Sequence, residues 1–240
     1  MPNLYGLLIT LSIISCLFVV RSFVKSKDSN IFWGVTFWSI LCGIIGARLY
    51  HVVSSLPYYS TNLLKVFEIS KGGLGIWGAI LGGAAGAFLY LKIKKQKVLL
   101  WFDLIAISLP LGQAIGRWGN FLNQEIFGLP TNLPWGIFIE PQNRPAPFAN
   151  FEKFHPLFLY ESVLNFVLFL VLFSLYKSKK CIFKNGTFLA IYLSFYSTIR
   201  FFLEYLRIDP WTISGLNVSQ CVSILVLGLS VIFLSLKGTK

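Results

Sequence analysis

The sequence predicts an all-α polytopic membrane protein with seven transmembrane helices, and three observations carry that prediction. First, hydrophobic residues make up 55% of the 240 and charged residues only 12%, about half the charge of a soluble domain, with a mean hydropathy of +0.70. Second, seven stretches come near the roughly 20 mostly apolar residues that a spanning helix needs. Third, 13 of the 21 Lys and Arg fall in four short clusters between those stretches. This composition excludes a soluble enzyme and a disordered chain. The net charge of +12 does not imply nucleic acid, because the basic residues sit at the ends of apolar runs.

The expected spans are about 4–24, 31–53, 72–91, 99–119, 157–176, 187–206 and 216–236. The first is uniformly apolar and lacks a basic segment ahead of it, so it reads as a span rather than a signal peptide. Arg21, Lys25 and Lys27 follow it. The third is Gly-rich, with Gly78-x3-Gly82 and Gly82-x3-Gly86 at the spacing that lets helices approach closely in lipid; Lys92, Lys94, Lys95 and Lys97 follow. The fourth and sixth carry charge, and are accepted as spans because the loop charges then fall into order. Lys177, Lys179, Lys180 and Lys184 follow the fifth, and Lys237 and Lys240 end the chain. With seven spans, all four clusters lie on one side, which the positive-inside rule makes cytoplasmic. The N-terminus is then outside and the C-terminus cytoplasmic. Residues 1–240 are read as a single membrane domain, with a small extracytoplasmic head at about 120–156 between spans four and five. That loop holds six of the ten prolines together with Trp135 and Phe154, more than a flexible spacer carries.

Charge inside a bilayer is expensive and functional by default. Here it gathers at the outer halves of spans or just beyond them: Arg48, Arg117, Glu125, His155, Glu161, Arg200, Glu204 and Arg207. A transporter needs polar residues through the full depth, and the inner halves are apolar. Gln113, Arg117, Asn120 and Gln124 share a face of span four while the helix lasts; Arg200, Glu204 and Arg207 share one of span six. Span five opens with His155-Pro156, then Tyr160, Glu161 and Asn165. These three polar faces are expected to meet in one cavity open to the outer leaflet. Guanidinium forks suit phosphate or carboxylate, and the abundant anion there is a phospholipid headgroup. Arg200 and Glu204 could also simply neutralise one another, but three arginines exceed what pairing within one helix explains. Cys16, Cys42, Cys181 and Cys221 have no metal or disulfide spacing, and two His are too few for a multi-histidine site; no metal and no cofactor is expected.

The stretch Gly116-Arg117-Trp118-Gly119-Asn120-Phe121-Leu122-Asn123-Gln124-Glu125-Ile126-Phe127-Gly128 resembles the defining motif of bacterial prolipoprotein diacylglyceryl transferases, G-R-x-G-N-F-x-N-x-E-x-x-G, at every fixed position. Tyr5-Gly6-Leu7, Gly46-Ala47-Arg48, the Gly-rich run 72–83, His155-Pro156 with Tyr160-Glu161, and Arg200-Phe201-x2-Glu204-x2-Arg207 resemble further family segments in order. The resemblance implies transfer of the diacylglyceryl group of phosphatidylglycerol to the lipobox cysteine of a preprolipoprotein signal peptide, in the bacterial cytoplasmic (inner) membrane. A thioether forms and glycerol phosphate leaves. It implies catalytic roles for Arg117, Arg200 and Glu204, and substrate contacts for Tyr5, Arg48, Asn120, Glu125, Gly128, Tyr160, Glu161 and Arg207. Two departures stand out. Trp77 occupies a place where some members have a His proposed as the base, so either another group, Glu204 or Glu125, takes the thiol proton or the thiolate arises without a dedicated base. The chain also begins only four residues before Tyr5, where family members often have a longer outer arm, so either the start is misassigned or this member lacks the arm. A catalytically inactive relative that binds phospholipid or lipoprotein precursors is the alternative.

Overall fold

The computed structural model describes residues 4–68, 72–178 and 183–237. Lys179, Lys180, Cys181 and Lys240 lie outside them. The described chain is helical apart from loops and two hairpins of two-residue strands. Its helices are α1 (Leu4–Phe23), α2 (Ser29–Ser54), α3 (Leu56–Ser60), α4 (Ile76–Ile93), α5 (Val98–Leu122), α6 (Leu157–Ser178), α7 (Thr187–Leu203) and α8 (Val218–Lys237). Six of them, α1, α2, α4, α5, α6 and α8, are long and apolar enough to cross a membrane. This is an all-helical polytopic membrane protein. α7, at 17 residues, is shorter than expected because the chain tightens to a 3₁₀ turn at Glu204–Leu206. α4 starts at Ile76 rather than 72, since Gly72 and Gly73 take positive φ and cannot open a helix.

The chain divides into two compact units, Arg21–Val98 and Met1–Val20 with Leu99–Lys240. In the first, α2 packs against α4 through glycine. A Cβ on Gly46 would strike Gly78 O, one on Gly82 would strike Cys42 O, and one on Gly86 would come within 2.5 Å of Trp38 O. The four-residue spacing of Gly78, Gly82 and Gly86 thus forms the contact stripe. Beyond α2, α3 and a 3₁₀ turn at Leu63–Phe67 form the connection to α4.

In the second unit, α1 runs along α5. Cys16 Sγ donates to Ser108 O at 3.2 Å, and the Tyr5 ring covers Gly119 so closely that a Cβ there would lie 2.7 Å from it. α7 starts at Gly186, whose φ is +94°. Its first turn is capped from a neighbouring helix: the buried Asp103 carboxylate of α5 accepts from Gly186 N at 2.5 Å and Leu189 N at 2.9 Å. An acid at a helix N-terminus satisfies orphan N–H groups and opposes the dipole. Between α5 and α6, β1 (Ile137–Phe138) pairs antiparallel with β2 (Lys153–Phe154) over a small core of Phe127, Ile139 and Phe154. β3 (Thr212–Ile213) and β4 (Leu216–Asn217) form a second hairpin before α8.

Candidate active site

The polar faces of α5, α6 and α7 meet. Glu161 of α6, almost fully buried, stands between two arginines. Arg117 Nη2 of α5 donates to its Oε1 at 2.5 Å, and Arg200 Nη1 of α7 to its Oε2 at 3.3 Å. Arg200 Nη2 turns to Glu204 Oε2 at 3.0 Å, and Arg207 Nη1 reaches the same oxygen at 3.6 Å. Arg117 Nη1 also donates to Asn120 Oδ1 at 3.2 Å, and Asn120 Nδ2 donates to Glu125 Oε1 at 2.9 Å. One chain of hydrogen bonds and ion pairs therefore runs Glu125–Asn120–Arg117–Glu161–Arg200–Glu204–Arg207. Its members from Asn120 to Arg207 line a single cavity, walled by Ile126, Leu157, Phe158 and Leu203. Both guanidiniums are oriented by carboxylates, so their positive ends are fixed before any anion arrives.

The local backbone explains how the motif reaches this geometry. Arg117 and Asn120 lie three apart on the last turns of α5. After Leu122 the chain turns through Gln124 and Ile126, both with φ near +50°. That conformation is unusual for residues with side chains, and here it is held from both sides. Glu125 N donates to Asn120 O at 2.9 Å. Gln124 Oε1 accepts from Glu140 N at 2.8 Å and Asn143 Nδ2 at 3.0 Å. Glu125 is thereby presented on the exposed rim, with Asn123 Nδ2 as a second donor at 3.3 Å. Gly128 is required by space: a Cβ would meet His155 Cβ at 2.8 Å and Leu206 O at 2.9 Å. It forms an isolated antiparallel bridge to Arg207, just past the turn that ends α7, which ties the motif to the second arginine segment. Arg207 itself is extended and off the helix; it stays at the cluster through Glu204 rather than through a continuous helical face.

Not every expected residue joins the cluster. Tyr160 turns toward the head: its hydroxyl accepts from Trp135 Nε1 at 2.8 Å and lies 3.2 Å from His155 Nδ1. Tyr5 reaches α5 by its ring over Gly119, next to Asn120. Arg48 belongs to the Arg21–Val98 unit. It is buried and bonds backbone carbonyls there: Lys65 O at 2.5 Å, Val66 O and Gly72 O at 2.8 Å, and Gly73 O at 3.0 Å, with its guanidinium over the Tyr59 ring. Those carbonyls occupy the fork that an anion would need, so Arg48 clamps the connection between α2 and α4. Trp77 is half-exposed in the first turn of α4. The residue that sequence reasoning missed is Tyr196, whose hydroxyl lies 3.5 Å from Glu161 Oε1. It stands four before Arg200, on the same helical face, and that spacing was the available signal.

A cluster of half-buried arginines around two buried carboxylates, at the junction of three helices, defines the class: a polytopic helical membrane protein with a charged site inside its helix bundle. The comparisons carry this to a family. The family model for prolipoprotein diacylglyceryl transferase matches residues 3–236. Among curated relatives, the phosphatidylglycerol–prolipoprotein diacylglyceryl transferase of Finegoldia magna is 40% identical over 93% of this chain and 86% of its own. That of Acaryochloris marina is 41% identical over 96% and 85%, and that of Thermotoga maritima 39% over 91% and 75%. The chain belongs to the prolipoprotein diacylglyceryl transferase family.

Proposed function

We propose that the protein transfers the diacylglyceryl group of phosphatidylglycerol to the lipobox cysteine thiol of a preprolipoprotein, as the names of its relatives describe for phosphatidylglycerol and prolipoprotein. The convergence of Arg117 and Arg200 from different helices on one cavity carries the reading. Two guanidiniums at that spacing suit a phosphodiester, and their fixed charge matches what grows on the leaving phosphate. The thiol sulfur bonds to the terminal glyceryl carbon of the lipid. The bond from that carbon to the phosphate oxygen breaks, and glycerol phosphate leaves with the electron pair. Arg117 and Arg200 hold the phosphate, Glu161 aligns both, and Asn120 orients Arg117. Glu204 holds Arg200 and Arg207, with Arg207 at the rim. Of the two carboxylates open to the thiol proton, Glu125 is the exposed one, fixed by two amides; Glu204 is enclosed by guanidiniums. We assign the proton to Glu125. Gly128 serves by close packing against His155 and Leu206, Tyr5 by packing on Gly119, and Tyr160 by bracing the head.

The topology that serves this chemistry has seven crossings, with the N-terminus and the head at 120–156 outside and the C-terminus in the cytoplasm of a bacterial inner membrane. α7 supports the seventh crossing: its 17 residues and the three of the following turn make 20, about 30 Å of helix. The test is transfer of label from the acyl chains of phosphatidylglycerol to a lipobox peptide by the purified protein, beside a Cys→Ser peptide and Arg117→Ala. Label on the Cys peptide alone, lost in Arg117→Ala, is expected. Lipid binding without transfer would replace the transferase with an inactive relative.

A further inference from the structure

Glu204 carries an oxygen that the cluster does not use. Its Oε2 serves Arg200 and Arg207, while Oε1 is buried with no hydrogen-bond partner among the described residues. The side chain is fully buried and lines the cavity shared by Arg117, Asn120, Glu161 and Arg200. A carboxylate oxygen removed from water without a donor is unfavourable and rare in native proteins. This one fits a site that receives its donor with the ligand. Arg117, Arg200 and Arg207 line the same cavity, so a cationic donor such as an ammonium meets like charge. A neutral hydroxyl does not.

On the transferase reading, the lipid brings such a hydroxyl. The headgroup of phosphatidylglycerol is a second glycerol with two hydroxyls, a few bonds from the phosphate that Arg117 and Arg200 would hold. We propose that Glu204 Oε1 accepts a hydrogen bond from a headgroup hydroxyl, and that this contact lets the enzyme tell phosphatidylglycerol from phosphodiester lipids lacking one. Glu204 is then a specificity-determining residue as well as the anchor of two arginines. The leaving glycerol phosphate keeps the same contact after transfer.

The decisive comparison is the ratio of kcat/KM for phosphatidylglycerol and phosphatidylpropanol, which has the same charge and nearly the same size but no headgroup hydroxyl. A site built to bond a hydroxyl rejects the analogue without it, and the wild type is expected to prefer phosphatidylglycerol by at least about 10-fold. Glu204→Leu removes both oxygens, where a glutamine could still bond the hydroxyl through its amide; it also disturbs Arg200 and Arg207, but that loss falls on both donors and cancels in the ratio. The ratio itself is expected to collapse toward one. Competition supplies a second reading that needs no active variant: glycerol 1-phosphate should inhibit the wild type at least about 10-fold more strongly than propyl phosphate. Equal use of both lipids, equal inhibition by both phosphates, or an unchanged ratio in Glu204→Leu overturns the proposal, and equal inhibition would leave water as the partner of Oε1. Absence of transfer from either lipid by the wild type overturns the transferase reading itself, and this inference with it.

Discussion

Arg117 does two things with one guanidinium: it meets Glu161 with Nη2 and Asn120 with Nη1. A lysine keeps the charge but cannot reach both partners, since its ammonium is a point donor rather than a planar fork. Arg117→Lys is therefore expected to lower kcat/KM by about 100-fold or more, by the size of a lost oriented donor, with the helical circular-dichroism melt unchanged. Gly128→Ala is expected to impair both stability and activity. The added methyl has His155 Cβ and a backbone carbonyl within 3 Å, and such overpacking costs about 1–3 kcal/mol; thermal denaturation in detergent reads it. The cluster's membership was partly legible beforehand, because Arg117, Asn120 and Glu125 sit in an unbroken motif and three arginines exceed what pairing within one helix explains; the structure pairs them across helices. Arg48 was not legible. Its partners are main-chain carbonyls, and no residue pattern announces those, so a charge near the end of a span reads from sequence as a substrate contact while the structure shows it bonded to a loop.

Helix pairs show the same contrast. The α2–α4 contact could be read in advance, since backbone approach within a Cβ's width leaves glycine as the residue that fits, at a four-residue period. Gly82→Leu is expected to separate α2 from α4 and lower the melting temperature markedly, whereas Gly228→Leu on α8, where nothing lies within 4 Å of an added Cβ, should leave it within experimental error. The cap on α7 could not be read. Asp103 and Gly186 are 83 positions apart, and only tertiary structure pairs them. Asp103→Ala removes the acceptor of two N–H groups and is expected to cost about 1–2 kcal/mol, again by thermal denaturation. The end of α7 also departed from expectation, because Glu204 begins a tighter turn, and Arg207 keeps its place by an ion pair.

At the scale of the whole chain, the order of basic clusters predicts the sidedness, and accessibility tests it. In a background without native cysteines, Asn150→Cys in the head is expected to react with a membrane-impermeant thiol reagent in intact cells. Lys95→Cys, between α4 and α5, is expected to react only after the membrane is opened. Reaction of Lys95→Cys in intact cells would refute the proposed sidedness. The seventh crossing was inferred from charge order rather than hydropathy, and α7 is the shortest helix of the proposed spans for a physical reason: at Glu204, where its carboxylate joins the cluster, the chain tightens into a 3₁₀ turn.

The bond between Arg200 and Glu161 bears on biogenesis. An intramembrane arginine costs about 2.5–3.5 kcal/mol when a helix partitions into the bilayer, and Glu204, which Arg200 shares with Arg207, offsets only part of it, so α7 is a poor substrate for the insertion machinery by itself. Once α6 is resident, Glu161 offers the counter-charge and the cost falls. The two helices should enter as a cooperative hairpin, with the later one chaperoned by the earlier. Integration of α7 in a translocation assay would then depend on Glu161 well before any lipid is bound, making the same carboxylate a checkpoint in the making of the enzyme.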